Sequence, residues 1–114
     1  MYIDYIFNVF KENKSDISII WKGNEYTYKS LINNIEKSIY LIDSNSIKPG
    51  TVVALKGDFS PNSIALLLAL IEKACIIVPL SGSSNTCQKQ FLDIAQVEFA
   101  FIFNENDDIT TEKF

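Results

Sequence analysis

Thr51-Val-Val-Ala-Leu-Lys56, Ser60-Pro-Asn-Ser-Ile-Ala-Leu-Leu-Leu-Ala-Leu-Ile-Glu-Lys-Ala74 and Cys75-Ile-Ile-Val-Pro-Leu80 are the stretches that decide the fold. The first is a short β-branched run. The second opens with Ser60, a good N-cap, and Pro61, a good first helical residue. Asn62 to Ala74 is apolar almost all round, so the predicted helix is buried on most sides. The third is another continuous apolar run. Strand, helix and strand in so short a span make a βαβ unit with two parallel strands.

Downstream, Phe91, Leu92, Ile94 and Ala95 predict a further helix, and Phe99-Ala-Phe-Ile-Phe103 a third apolar strand. The unit thereby extends to βαβαβ. Strands that are apolar throughout, rather than alternating, imply a sheet covered on both faces. Upstream, Ile3, Ile6, Phe7 and Phe10 follow helical spacing. Ile17, Ile19 and Trp21, the pair Gly23-Asn24, and Glu25 to Tyr28 predict a β-hairpin. Thr27 suits the N-cap of a helix whose apolar positions are Leu31, Ile35, Ile39 and Ile42. Lys48-Pro49-Gly50-Thr51 fits a type II turn, with Pro and Gly in its central positions. The expected fold class is α/β: an N-terminal helix and β-hairpin, then a βαβαβ unit with parallel strands covered by helices.

The chain has 114 residues, 47% hydrophobic and 21% charged, with a net charge of −4. That suits one globular domain. All ten basic residues are lysines. Without His there is no imidazole base and no His metal ligand, and without Arg no bidentate phosphate clamp. An acidic balance argues against nucleic acid as a partner. Residues 1–103 carry ten acids and nine lysines, whereas 104–114 carry four and one. The expected division is therefore 1–103 as the folded unit and 104–114 as an acidic boundary or linker. No signal peptide is visible, and the longest apolar run, Ile64 to Ile71, is far below the ~20 residues of a membrane span. No membrane span and a cytoplasmic location are expected.

Candidate chemistry is sparse. Cys75 and Cys87 are not spaced as a zinc motif, and Cys75 reads as a core thiol. Ser81-Gly-Ser-Ser-Asn-Thr86 lies between a strand and a helix, but it matches neither GxxxxGK[ST] nor GxGxxG and reads as an ordinary loop. Lys56-Gly57-Asp58 sits at the carboxyl end of a parallel strand, where ligands gather in open α/β sheets, yet a turn explains it equally. Glu105, Asp107 and Asp108 read as a solvated tail. Trp21, Tyr26 and Tyr28 read as hairpin aromatics packed on the core. No catalytic, cofactor-binding or metal-binding residue is expected in the chain. A small independent nucleotide-binding protein of flavodoxin-like type would need an anion-binding loop that the sequence does not offer.

Four segments in order, Trp21 to Leu31, Ile47 to Leu55, Phe59 to Ala69 and Ile71 to Leu80, resemble the N-terminal region of the AMP-forming adenylate enzymes. These include acyl-CoA synthetases, adenylation domains of nonribosomal peptide synthetases, and luciferases. Tyr26-Thr-Tyr-Lys-Ser-Leu31 matches the family's first motif with Ser30 for the usual Glu. Glu72-Lys-Ala-Cys-Ile-Ile-Val-Pro-Leu-Ser81 matches the second with Cys75 for the usual Gly and Ser81 for the usual Asp. A Cys where the family has Gly implies an ordinary backbone conformation at position 75.

The resemblance implies the N-terminal part of an ATP-dependent carboxylate–AMP ligase. Such a ligase forms an acyl-adenylate and passes the acyl group to a thiol of CoA or of an acyl or peptidyl carrier protein. The family's phosphate-gripping loop ending in Pro-Lys-Gly, its adenine and ribose motifs, its magnesium-binding Glu and its C-terminal Lys have no match here. ATP and magnesium are thus expected of the full-length enzyme and not of this stretch, which would not be catalytic alone. Its expected partner is the remainder of the adenylating enzyme. The alternative is an interaction module that pairs with the rest of a split enzyme or with itself.

Overall fold

The computed structural model describes residues 2–80 and 95–114. In chain order the elements are α1 (Asp4–Glu12), β1 (Ile17–Trp21), β2 (Asn24–Thr27), α2 (Tyr28–Ser44), β3 (Val52–Lys56), α3 (Pro61–Glu72), β4 (Ile76–Leu80), β5 (Phe99–Phe103) and β6 (Ile109–Lys113). The helix expected at Phe91–Ala95, the loop Ser81–Thr86 and Cys87 lie wholly or mainly outside the described residues.

β1 and β2 form an antiparallel hairpin in which Trp21 pairs with Asn24. Its turn is therefore Lys22-Gly23, not the expected Gly23-Asn24. Both turn residues have positive φ, 50° and 79°, as a type I′ turn requires. The Thr27 side chain caps α2 by accepting from the Ser30 amide at 3.2 Å. The Pro49-Gly50 turn forms as expected: Gly50 has φ 84° and the Thr51 amide donates to the Lys48 carbonyl at 3.1 Å.

The second sheet has four strands in the order β4-β3-β5-β6. β3 runs parallel to both β4 and β5, so the expected parallel unit is present. β6 is the departure. It lies antiparallel to β5, with Phe103 opposite Ile109 and Phe99 opposite Lys113. Residues 104–114 therefore form a tight turn and an edge strand instead of the expected linker. Their polarity misled because an edge strand outside the helix layer has few side chains to bury.

The main core lies between this sheet and the helix pair. Val53 and Leu55 of β3 and Phe99, Phe101 and Phe103 of β5 pack with Leu66, Ala69 and Leu70 of α3 and Ile42 of α2. α1 docks through Ile3 onto Leu31, Ile35 and Ala65, with Phe7 and Phe10 beside them. On the opposite sheet face, Ala54 and Ala100 cluster with Val97, Val52, Val78, Leu80 and Ala95. Among the described residues, then, helices cover one face, and a short segment before β5 covers part of the other.

Both long helices end in Schellman geometry. After α3, the Cys75 amide donates to Leu70 and that of Ala74 to Ile71, both at 3.0 Å. After α2, the Ile47 amide donates to Ile42 at 3.2 Å and that of Ser46 to Asp43 at 3.0 Å. The left-handed residue of this motif is usually Gly; here it is Ala74 (φ 57°) and Ser46 (φ 58°). Cys75 itself has an ordinary backbone, as expected.

Candidate functional site: the carboxyl-edge cleft

β3 and β4 both end on the same side of the sheet, where the chain leaves β3 through Gly57-Asp58-Phe59 to enter α3. Between the strand ends and the first turn of α3 is a cleft of about 230 Å³, lined by Leu55, Gly57, Asp58, Phe59, Ser63, Pro79 and Leu80. Carboxyl edges of parallel strands are where open α/β folds bind ligands. This one is mainly apolar, with Phe59 65% exposed at its rim.

Gly57 makes the turn possible. Its φ is 130°, and a Cβ there would sit 3.0 Å from the Phe103 carbonyl oxygen and 3.2 Å from the Phe103 Cβ. Its amide donates to the Leu80 carbonyl at 3.1 Å, closing the edge of the β3–β4 pair. The expectation of a turn at Lys56-Gly57-Asp58 is met, at a position that also lines the cleft.

The α3 N-terminus is capped twice. In a capping box, the Ser63 amide donates to the Ser60 hydroxyl at 3.3 Å, and the Ser60 amide donates to the Ser63 hydroxyl at 2.7 Å. The Ser63 hydroxyl in turn donates to the Asp58 carbonyl at 3.0 Å, tying the turn to the helix. The second cap comes from Asp107, expected to be solvated and instead buried. Its carboxylate accepts from the Ser60 hydroxyl and, at 3.0 Å, from the Asn62 amide, while Asn62 Nδ2 donates to the Asp107 carbonyl at 3.0 Å. A helix N-terminus attracts anions. Here an internal carboxylate holds that position.

The signal for Asp107 was present but weak. Asn104-Glu-Asn-Asp107 is turn-forming: Asn104 Oδ1 accepts from the Asn106 amide at 2.9 Å and the Asp108 amide at 3.0 Å. Asp107 has φ 65°, a conformation Asp tolerates.

Among the paired hairpin residues no two aromatics stand directly opposite. Trp21 pairs with Asn24 and Tyr26 with Ile19. Tyr28 instead meets Phe10 of α1, with ring centroids 5.0 Å apart. Lys22 Nζ lies 4.7 Å from the Trp21 ring and donates to the Glu105 carbonyl. At Cys75, partial burial pushes the thiol pKa up, with the Lys73 charge opposing.

Among the described residues no group of His, Cys, Asp and Glu could hold a metal ion. Lys73 is paired with Asp43 at 2.7 Å, and the Glu72 carboxylate accepts from the Tyr2 amide at 2.7 Å. Among them, no helix is long and apolar enough to cross a membrane.

No family model and no curated sequence matches the chain. Solved structures do. The Klebsiella oxytoca NpsA N-terminal subdomain in complex with 3-hydroxyanthranilyl-AMSN aligns with a TM-score of 0.78 at 21% identity, over 90% of this chain and 27% of that one. NpsA-ThdA, an artificially fused adenylation–PCP di-domain from the same organism, gives 0.81 at 19% identity over 93% and 20%. VinN gives 0.82 at 13% identity over 94% and 29%. The chain has the fold of the corresponding part of these structures and spans 20% to 29% of their length.

Proposed function

We propose that this chain is the N-terminal structural part of an adenylating enzyme. The parent reaction joins a carboxylate to ATP, forming an acyl-adenylate and pyrophosphate, and then transfers the acyl group to a thiol of CoA or of a carrier protein. The observation that carries the reading is the agreement between motif order and fold. Four segments in family order fall between residues 21 and 80, and the fold match to the NpsA N-terminal subdomain, described in complex with 3-hydroxyanthranilyl-AMSN, covers 90% of the chain. A carrier-protein acceptor finds support in the match to the adenylation–PCP fusion.

In this reading the described residues supply framework. α3, capped by Ser60 and Asp107, and the turn through Gly57 shape a carboxyl-edge cleft against which the rest of the enzyme folds. ATP, magnesium and the thiol acceptor belong to that remainder, and a cytoplasmic location goes with such an enzyme.

Reading the DNA downstream of codon 114 tests the proposal. The expected result is an in-frame continuation encoding a Ser/Thr/Gly-rich loop with Pro-Lys-Gly, in a protein that exchanges pyrophosphate into ATP when given its carboxylate. A continuation without that loop, or ATP-to-pyrophosphate turnover by residues 1–114 alone, would overturn it.

A further inference from the structure

The two edges of the four-stranded sheet differ in what they offer another strand. At the β4 edge, the Ile76 amide donates inward to the Thr51 carbonyl and the Leu80 carbonyl accepts from the Gly57 amide. Strand alternation then turns Ile77 and Pro79 outward. Pro79 has no N–H, so among the described residues this edge is blunted at one of its two outward positions, a common protection against pairing.

At the β6 edge, the Asn104 amide donates to the Asp108 carbonyl at 3.1 Å and the Phe114 amide to the Glu98 carbonyl at 3.0 Å. The even-numbered residues of β6 thus bond to β5, and Ile109, Thr111 and Lys113 present their N–H and C=O groups outward. Thr110 to Lys113 are all exposed, and among the described residues no strand lies beyond β6. This edge contains no proline.

We propose that β6 pairs antiparallel with β6 of a second copy of this chain, with Thr111 on the two-fold axis. The strand is self-complementary in one register. Only a register centred on Thr111 engages every outward-facing residue of both strands. It sets Thr111 opposite Thr111 of the other copy, a favourable cross-strand pair. Ile109 then faces Lys113 and Thr110 faces Glu112, so no like charges are opposed. Centring on Lys113 would oppose two lysines, and centring on Ile109 would run β6 into the turn at Asp107. Pairing joins two four-stranded sheets into one continuous sheet by an isologous contact. The proposal stands apart from the adenylation reading, because it needs only the geometry of this edge.

The test is solution mass by light scattering or sedimentation, from about 1 to about 200 µM, a range suited to a small interface. The expected result is a concentration-dependent rise toward twice the 12.9 kDa monomer. Thr111→Pro removes the central outward N–H while leaving the β5 bonds intact, and Thr111→Lys sets two charges against each other on the axis. Both variants should stay monomeric across the range with unchanged circular dichroism. A monomeric parent chain at the top of the range, or a dimer that survives both substitutions, would overturn the proposal. So would a dimer lost through Ile77→Lys at the opposite edge and not through Thr111→Lys.

Discussion

Asp107 accepts a hydrogen bond from the Ser60 hydroxyl across 47 residues of sequence, joining the β5–β6 turn to the first turn of α3. The same carboxylate accepts from the Asn62 amide, so one buried side chain fixes the helix that shapes the cleft. Asp107→Ala leaves both donors without their acceptor and puts Ala in a left-handed conformation. The expected loss is about 2–4 kcal/mol, read as a lower urea midpoint at unchanged m-value. Asp107→Asn, which keeps an acceptor and tolerates the same φ, should lose less than half as much.

Gly57→Ala meets the Phe103 backbone at 3.0 Å in a conformation that L side chains rarely adopt. Strain and overpacking together should cost about 2–4 kcal/mol. Thermal melting compared with Gly23→Ala separates the two causes: Gly23 also has positive φ but has open space around it, and its substitution should cost about 1 kcal/mol.

Ala74 and Ser46 hold the left-handed position after α3 and α2. Ala74→Gly relieves a steric penalty that exceeds the entropy Gly adds to the unfolded chain, and should stabilise by about 0.5–1 kcal/mol. Ser46→Gly should do the same. Each gain is read as a rise in urea midpoint at unchanged m-value.

Glu72 Oε1 accepts from the Tyr2 amide, while Oε2 is buried without a hydrogen-bond partner. Glu72→Ala removes the acceptor that tethers the chain just before α1. Amide exchange in residues 4–12 should quicken several-fold while protection in β3 and β5 stays nearly constant, because α1 belongs to a peripheral cluster. Equal loss of protection everywhere would contradict this separation.

The raised Cys75 thiol sets a pH dependence. Its folded pKa lies above the ordinary value, so between the two the native state binds more protons than the unfolded state, and stability falls as pH rises. In a Cys87→Ser background, denaturation midpoints measured from pH 8 upward should decline through the alkaline range, and Cys75→Ser should flatten that decline.

Elements carrying long apolar runs or strong caps were legible from sequence: α3 from Ser60-Pro61 and its apolar surface, β3 to β5 from their continuous apolar residues, the Pro49-Gly50 turn from its dipeptide. What escaped depends on tertiary partners. β6 has the composition of a loop and becomes a strand because β5 offers it a free edge. Asp107 looks like one of several tail acids, and only the turn at Asn104 aims it at α3. In the hairpin, Gly23-Asn24 resembles a turn pair, yet register moves the turn back by one residue to include Lys22. The cleft was half legible: Lys56-Gly57-Asp58 marked the strand end, whereas Phe59, Pro79 and Leu80 reach it only through packing.

The mixed direction of the sheet sets an order of assembly. β5 and β6 are joined by a five-residue turn, and their pairing closes a small loop on a timescale of about 1–10 µs. The β3–β5 pairing spans 46 residues at Val52–Glu98 and must wait for a much costlier closure. The β5–β6 pairing is therefore expected to precede the contact with β3 and α3, and the bond from Ser60 to Asp107 to form on that arrival. Substitutions at Asp107 should accordingly speed unfolding far more than they slow folding.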